Sequence, residues 1–199
     1  MRTRLSFVLI ALGILMIAGC SKPPEIEMRA AQSALDAARA SEADTYVPAA
    51  LAAATDTLNA AQALKTEQDS KFALFRSYGK SKDMYIRAKA LAETAATQAV
   101  AEKERVRQEV MALMTEAQAA LDSATTALAS APKGKGNKAE IELITNDLNN
   151  IKAQFAAAQD DFTGGRFKVA KSKVETLMAK TTSLMDELAA AAAKSKGLR

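Results

Sequence analysis

Residues 141–188 decide the fold of this chain, and they read IELITNDLNNIKAQFAAAQDDFTGGRFKVAKSKVETLMAKTTSLMDEL. An apolar stripe with 3-4 spacing runs through Ile141, Ile144, Leu148, Ile151, Phe155, Ala158 and Phe162. The same spacing returns in Phe167, Ala170, Val174, Leu177, Thr181, Leu184 and Leu188. This period is typical of α-helices that bury one face. Because the stripes are joined only by the tight turn Thr163-Gly164-Gly165 and one further residue, the segment predicts an antiparallel helical hairpin.

Three further helices are predicted on the N-terminal side of this hairpin. The first covers residues 25–42 and follows Pro23 and Pro24, with a stripe of Met28, Ala31, Leu35 and Ala38. The second runs from Pro48 to about Tyr78, with Phe72 and Phe75 continuing its apolar content and Gly79 as its C-terminal stop. The third covers residues 81–131, and its charged middle, residues 102–109, is expected in solvent between two packed ends.

The two halves of the chain resemble each other. The segment AQSALD at residues 31–36 matches AQAALD at residues 117–122, with an offset of 86. Four residues near the start of the third helix also match the start of the fifth, with an offset of 82: Tyr85, Ala88, Lys89 and Glu93 correspond to Phe167, Ala170, Lys171 and Glu175. We therefore predict an all-α, elongated antiparallel bundle of about five helices, arranged as two three-helix units, residues 25–100 and 101–199, that share one long central helix. The alternative is that shared helical composition alone produces the match.

Composition supports helices and excludes most chemistry. Hydrophobic residues make up 49% of the chain, a large share of them Ala, while Gly and Pro number only 8 and 4. There is one Cys and no His, so no internal disulfide can form, and the commonest general base and metal ligand are missing. We predict no catalytic, metal or cofactor-binding residues and no enzyme activity. The net charge is +4, or +2 without Arg2 and Arg4, which gives no reason to expect nucleic acid binding.

The N-terminus predicts a secreted protein. Arg2 and Arg4 precede an apolar stretch at residues 7–18, which is too short for a membrane-spanning helix and typical of a secretory signal peptide. The stretch ends in Ile17-Ala18-Gly19-Cys20, which resembles the lipobox of bacterial lipoproteins. The resemblance implies removal of residues 1–19, acylation of Cys20 and a stable membrane anchor. The alternative is an ordinary secretory signal that happens to contain a Cys.

Ser21 and the short tether at residues 20–24 refine this prediction. In the sorting rule of enterobacterial lipoproteins, a residue other than Asp after the Cys implies the outer membrane, facing the periplasm; retention in the inner membrane is the alternative. Residues 21–24 extend only about 12 Å in an extended conformation. The folded part of the chain is therefore expected close to the membrane.

The stretch AAQSALDAARASEADTYVPAALAAATDTLNAAQAL at residues 30–64 is similar to an uncharacterised helical domain of proteobacterial envelope lipoproteins. The resemblance covers about residues 28–96 and implies no activity. Together with the anchor, it favours a structural or interaction protein that contacts an envelope protein or peptidoglycan. The alternative is a lipid or peptide carrier or chaperone with an inter-helix groove. The sequence leaves the oligomeric state open.

Three clusters are interpreted as structural. Met111, Met114, Met178 and Met185 are expected to fill core space. Asp160-Asp161, beside the predicted turn, is expected in solvent. The basic segment at residues 163–199 could meet peptidoglycan carboxylates, lipopolysaccharide phosphates or an acidic partner, but a solvated face that balances the acidic fourth helix is favoured.

Overall fold

The computed structural model describes residues 22–132 and 138–197, and these are almost entirely helical, with no strand among them. Within these two ranges there are six α-helices: α1 (Glu25–Ala40), α2 (Ala43–Tyr46), α3 (Pro48–Asp69), α4 (Gly79–Ser130), α5 (Lys138–Thr163) and α6 (Phe167–Gly197). A short 3-10 helix, Ala73–Phe75, lies between α3 and α4. The predicted all-α bundle of about five helices is confirmed, because five of the six helices are long and α2 is a single turn at the predicted break.

The chain divides into two compact units, and the division falls inside α4. Unit 1 ends at Glu102 and contains α1, α2, α3 and the first part of α4. Unit 2 begins at Lys103 and contains the rest of α4, α5 and α6. Each unit has a hydrophobic cluster of its own.

The core of unit 1 is built mainly from Ala. It contains two residues of α1, three of α3 and three of α4: Ala31, Leu35, Ala54, Leu58, Ala61, Tyr85, Ala88 and Ala92. A methyl side chain lets helix backbones approach closely, but each Ala removes little apolar area from water. The buried large side chains are Leu35, Leu58 and Tyr85, and the Ala residues allow the helices to lie close together. Four larger residues pack partly buried against this cluster: Met28, Leu51, Met84 and Leu91.

The core of unit 2 is built from larger residues. Every position of the predicted α5 stripe from Ile141 to Ala158 is buried, and so is the predicted α6 stripe from Ala170 to Leu188. Three of the four methionines, Met114, Met178 and Met185, pack partly buried against this cluster, while Met111 is largely exposed. The turn between the helices is tight because Gly165 adopts a left-handed φ of 76°, a conformation that glycine takes without a steric penalty.

The prediction for the end of the second helix was wrong. Helix α3 ends at Asp69 rather than near Tyr78, and Gly79 begins α4 instead of stopping the helix before it. The reason is a set of side-chain hydrogen bonds that replaces the helical ladder. The Arg76 guanidinium donates to the backbone carbonyls of Asp69 and Lys71, at 2.8 and 2.9 Å. The Tyr78 hydroxyl donates to the Asp69 carboxylate at 2.5 Å.

The expectation that the charged middle of α4 is surrounded by solvent was also wrong. Val106 and Val110 are buried in unit 2. Between them and on the same helix, Glu109 accepts a hydrogen bond from the Lys171 ammonium of α6 at 2.6 Å. Glu104 and Arg105 are exposed, since 3.6-residue periodicity lets one face of the helix be apolar while the others carry charges.

The two matched segments of the repeat make matching local contacts. The Gln32 amide donates to Asp36 in α1, and the Gln118 amide donates to Asp122 in α4, at 3.2 and 3.0 Å. Ion pairs join Lys89 to Glu93 at 3.5 Å and Lys171 to Glu175 at 3.8 Å. All four are contacts between residues i and i+4 of one helix, so they follow from the matched residues being helical in both segments.

Close packing of Ala in unit 1 gives a direct test. The substitution Ala92→Leu adds three carbon atoms at a fully buried position, and overpacking of this kind costs about 1–3 kcal/mol. Ala90, two residues earlier on the exposed face of α4, is the matched control, and Ala90→Leu should change the free energy of unfolding little. Urea unfolding followed by circular dichroism measures both. Equal effects of the two substitutions would contradict the close-packed core.

Candidate functional site

The residues predicted to attach the chain to a membrane, Cys20 and the lipobox residues Ile17, Ala18 and Gly19, lie outside the described residues. The residues that follow Cys20 in the chain are described from Lys22 onward. Pro24 is already buried, and the Glu25 N–H donates to the Pro23 carbonyl at 2.9 Å. The folded unit thus begins within five residues of Cys20.

Charged side chains fix the start of α1 against both neighbouring helices. The Lys65 ammonium of α3 lies 3.4 Å from Glu25 and 2.9 Å from Asp69. The Lys82 ammonium of α4 lies 3.0 Å from Glu27. The first turn of α1, the last turn of α3 and the first turn of α4 therefore lie together at one end of unit 1.

The charged groups at this end of unit 1 hold one another in their ionised forms. The hydrogen bond from the Tyr78 hydroxyl, and then that from Lys65, lower the pKa of the Asp69 carboxyl. The bond to Asp69 likewise raises the pKa of Lys65, against the effect of burial. Each group therefore stays ionised near neutral pH, whereas acid–base catalysis needs a group that titrates there.

The connection between α3 and α4 presents large apolar side chains to solvent. Phe72, Leu74 and Phe75 are all exposed, and the two phenyl rings lie 6.4 Å apart. Sequence reasoning missed this surface because it placed both aromatic residues in a continuing helix. The available signal was composition, since residues 70–82 include Lys71, Arg76, Lys80 and Lys82 but no acidic residue.

The described residues offer little else that resembles a ligand site. They include no group of three or more His, Cys, Asp or Glu residues arranged for a metal ion. None of their helices is long and apolar enough to cross a membrane. A depression of about 320 Å³ between α5 and α6 has a mostly polar lining: Asp147, Asn150, Ile151, Gln154, Lys180, Ser183, Leu184 and Glu187. Another, of about 530 Å³, lies between α1 and α4 and is lined by small and charged side chains: Ala30, Ser33, Ala34, Ala37, Lys89, Glu93, Ala96 and Thr97.

The expectation that Asp161 is solvated was wrong. The structure buries Asp161 in place of Phe162, which is half-buried, and gives its carboxylate two cationic partners. Lys173 lies 2.5 Å from one oxygen and Arg166 lies 2.7 Å from the other. Both partners, Lys173 first, lower the pKa of the Asp161 carboxyl. A charged group is tolerated at this position because it is paired on both sides.

Several cations of the basic C-terminal segment have partners within unit 2. Lys171 pairs with Glu109 of α4, and Lys194 pairs with Glu140 of α5 at 3.1 Å. Lys180 donates to the Gln154 amide oxygen of α5 at 2.8 Å. These contacts support the interpretation that the basic face balances its neighbouring helices.

Comparisons with protein-family models, with curated proteins and with solved structures found no significant match to this chain. The resemblance to lipoproteins therefore stays a prediction from the residues quoted above.

Tyr85 provides a test of the polar end of unit 1. Its hydroxyl is fully buried and makes no hydrogen bond within the described residues, and burial raises its pKa. Because an unpaired buried hydroxyl costs free energy, Tyr85→Phe should raise the free energy of unfolding by about 1 kcal/mol or leave it unchanged. The control Tyr78→Phe removes the hydrogen bond to Asp69 and should lower the free energy of unfolding. Thermal and urea unfolding report both, and a clear loss of stability in Tyr85→Phe would show that the hydroxyl has a partner.

Asp161 predicts a pH dependence. Its pKa is lowered in the folded chain, so its ion pairs stabilise the fold above the pKa of the unfolded carboxyl. That contribution is lost as the pH falls through the lowered value. Asp161→Asn should therefore reduce stability at pH 7 and weaken the further loss of stability on acidification. The exposed neighbour provides the control, Asp160→Asn, and an identical pH profile for both variants, measured by urea unfolding, would exclude this role.

Proposed function

We propose that this chain is a lipid-anchored structural or interaction protein of the bacterial envelope, without catalytic activity, attached through acyl chains on Cys20 to the periplasmic face of the outer membrane. The single observation that supports it most is the sequence around the start of the fold. A complete lipobox at residues 17–20 is followed within five residues by the first turn of α1. A lipid on Cys20 would thus attach directly at the base of unit 1.

The surface chemistry supports an interaction role over an enzymatic one. The chain has no His, and its Cys is assigned to the anchor. The carboxylates with lowered pKa, such as Asp69 and Asp161, have cationic or hydroxyl partners that keep them ionised. Such pairs stabilise a fold and are poor proton donors at neutral pH.

The alternative, a lipid or peptide carrier, has less support. A carrier of apolar ligands needs a concave apolar site. The depression between α5 and α6 is lined by charged and amide side chains, with Lys180 bonded to Gln154 across it. In unit 1, a groove of about 530 Å³ lies between α1 and α4, but it is open to solvent, and Lys89, Glu93 and Thr97 line it beside the small Ala side chains.

The anchor is tested by Cys20→Ala in cells of the source bacterium. The wild-type chain should be recovered with outer membranes, and the mass of its N-terminal peptide should include acyl chains on Cys20. Cys20→Ala should lose both properties, because one residue supplies the whole attachment. Ser21→Asp is the matched control: it should keep the acyl chains and shift the protein towards the inner membrane. Recovery of wild-type protein without acyl chains would refute the anchor.

The interaction role is tested by crosslinking the acylated protein in intact cells and identifying what is attached. A stoichiometric envelope protein or peptidoglycan, lost with Cys20→Ala, would support the proposal. A defined lipid or peptide that copurifies in stoichiometric amount with the native protein would favour the carrier instead.

A further inference from the structure

The α3–α4 connection is longer than a helical hairpin requires. In unit 2, three residues, Gly164 to Arg166, join α5 to α6. In unit 1, nine residues separate Asp69 from Gly79. The additional chain includes Phe72, Leu74 and Phe75, whose exposed fractions are 70%, 44% and 75%. Exposed aromatic residues so close together are unusual at a free surface and are typical of a contact with a partner or a membrane.

This connection, residues 70–78, is ordered by hydrogen bonds and is here called the tip. In addition to the bonds from Arg76 and Tyr78, the Ser77 N–H donates to the Gln68 side chain at 3.0 Å. The Phe75 N–H donates to the Phe72 carbonyl at 2.8 Å. The apolar side chains are therefore presented outward by a defined backbone.

The tip lies at the same end of unit 1 as the start of α1. Lys65 and Lys82, which flank the tip in sequence, pair with Glu25 and Glu27 of the first turn of α1. Ile26 in that turn is 76% exposed. Only residues 21–24 separate Cys20 from this turn, a reach of about 12 Å.

We propose that the tip is a second membrane contact, in which Phe72, Leu74 and Phe75 enter the lipid interface beside the anchor. This inference rests on the proposed acylation of Cys20. Aromatic side chains favour the boundary between headgroups and acyl chains. Of the cations of residues 70–82, Lys71 and Lys82 already have carboxylate partners in Glu67 and Glu27, so the contact depends mainly on the apolar side chains. Lys80 is exposed beside them and can meet an anionic headgroup.

The position of the anchor favours a lipid surface over a protein partner. An acyl group on Cys20 would bring the tip to the membrane at high effective concentration, so that even a weak contact would form. A lipid chain alone allows the folded part to tilt freely, whereas a second contact a short distance away fixes the face that unit 1 turns to the membrane.

The absence of Trp from the sequence gives a direct probe. Phe75→Trp places a single Trp in the tip. Val100→Trp is the matched control, since Val100 is 60% exposed in the same unit and lies about 30 Å along α4 from Gly79. Both full-length acylated variants are reconstituted into phosphatidylethanolamine–phosphatidylglycerol vesicles with brominated acyl chains, which quench Trp on contact.

The expected result is that the emission of Phe75→Trp shifts to the blue and is quenched, while Val100→Trp shows neither change. A blue shift without quenching indicates contact with protein, including a second copy of this chain, and overturns the proposal. An emission typical of water in both variants also overturns it.

A separate outcome reports on the anchor. The mass of the N-terminal peptide establishes whether Cys20 is acylated in the same sample. If Cys20 is not acylated, the proposed function fails. The membrane contact of the tip is then tested separately, by the quenching of Phe75→Trp in the Cys20→Ala chain at high concentrations of the same lipid. Quenching there supports the membrane contact, and its absence refutes it. Vesicle binding of the Cys20→Ala chain can also be compared in two double variants. The pair Phe72→Ser and Phe75→Ser should abolish this binding. The control pair, Ile86→Ser and Val100→Ser, should not.

Discussion

Close approach of Ala faces is the constraint on which unit 1 depends. Its central helices meet through Ala54, Ala61, Ala88 and Ala92, and such small side chains remove little apolar area from water. The stability of the unit must therefore come from tight contact and from what fixes the helix ends. Lys65 between Glu25 and Asp69, and Lys82 beside Glu27, fix those ends. Unit 2 also has ion pairs between its helices, such as Lys171–Glu109, but Ile144, Leu148 and Leu177 add a core that buries more apolar area per residue.

The two units also differ in how much of their fold could be predicted from the sequence. The α5–α6 hairpin could be predicted because an uninterrupted stripe meets a Gly-Gly turn, so periodicity and turn chemistry agree. The end of α3 could not be predicted, because Phe72 and Phe75 continue an apolar composition while Arg76 and Tyr78 stop the helix through bonds to Asp69. Periodicity describes one helix at a time and contains no information on such bonds between separate segments.

Because periodicity does not describe bonds between separate segments, it also failed to predict the environment of Asp161 and of the tip. The stripe predicted burial of Phe162, yet the structure buries Asp161, because Arg166 of the turn and Lys173 of α6 supply its ionic partners. The tip was visible in composition only, as a basic segment with aromatic residues. Its exposure follows from where α3 stops. Cys20, by contrast, was predicted from a local motif that requires no knowledge of the fold.

Comparison of the two units separates what folding requires from what it does not. Both units repeat the Gln–Asp and Lys–Glu contacts, and both close a helical hairpin. Unit 2 does so with three residues and places Phe162 and Phe167, half-buried, 5.2 Å apart. Unit 1 uses nine residues and leaves Phe72 and Phe75 exposed. Since three residues suffice to close the hairpin of unit 2, the longer connection of unit 1 is not needed to close a hairpin. Its exposed aromatic side chains lie outside the core, which is the arrangement that the proposed membrane contact needs.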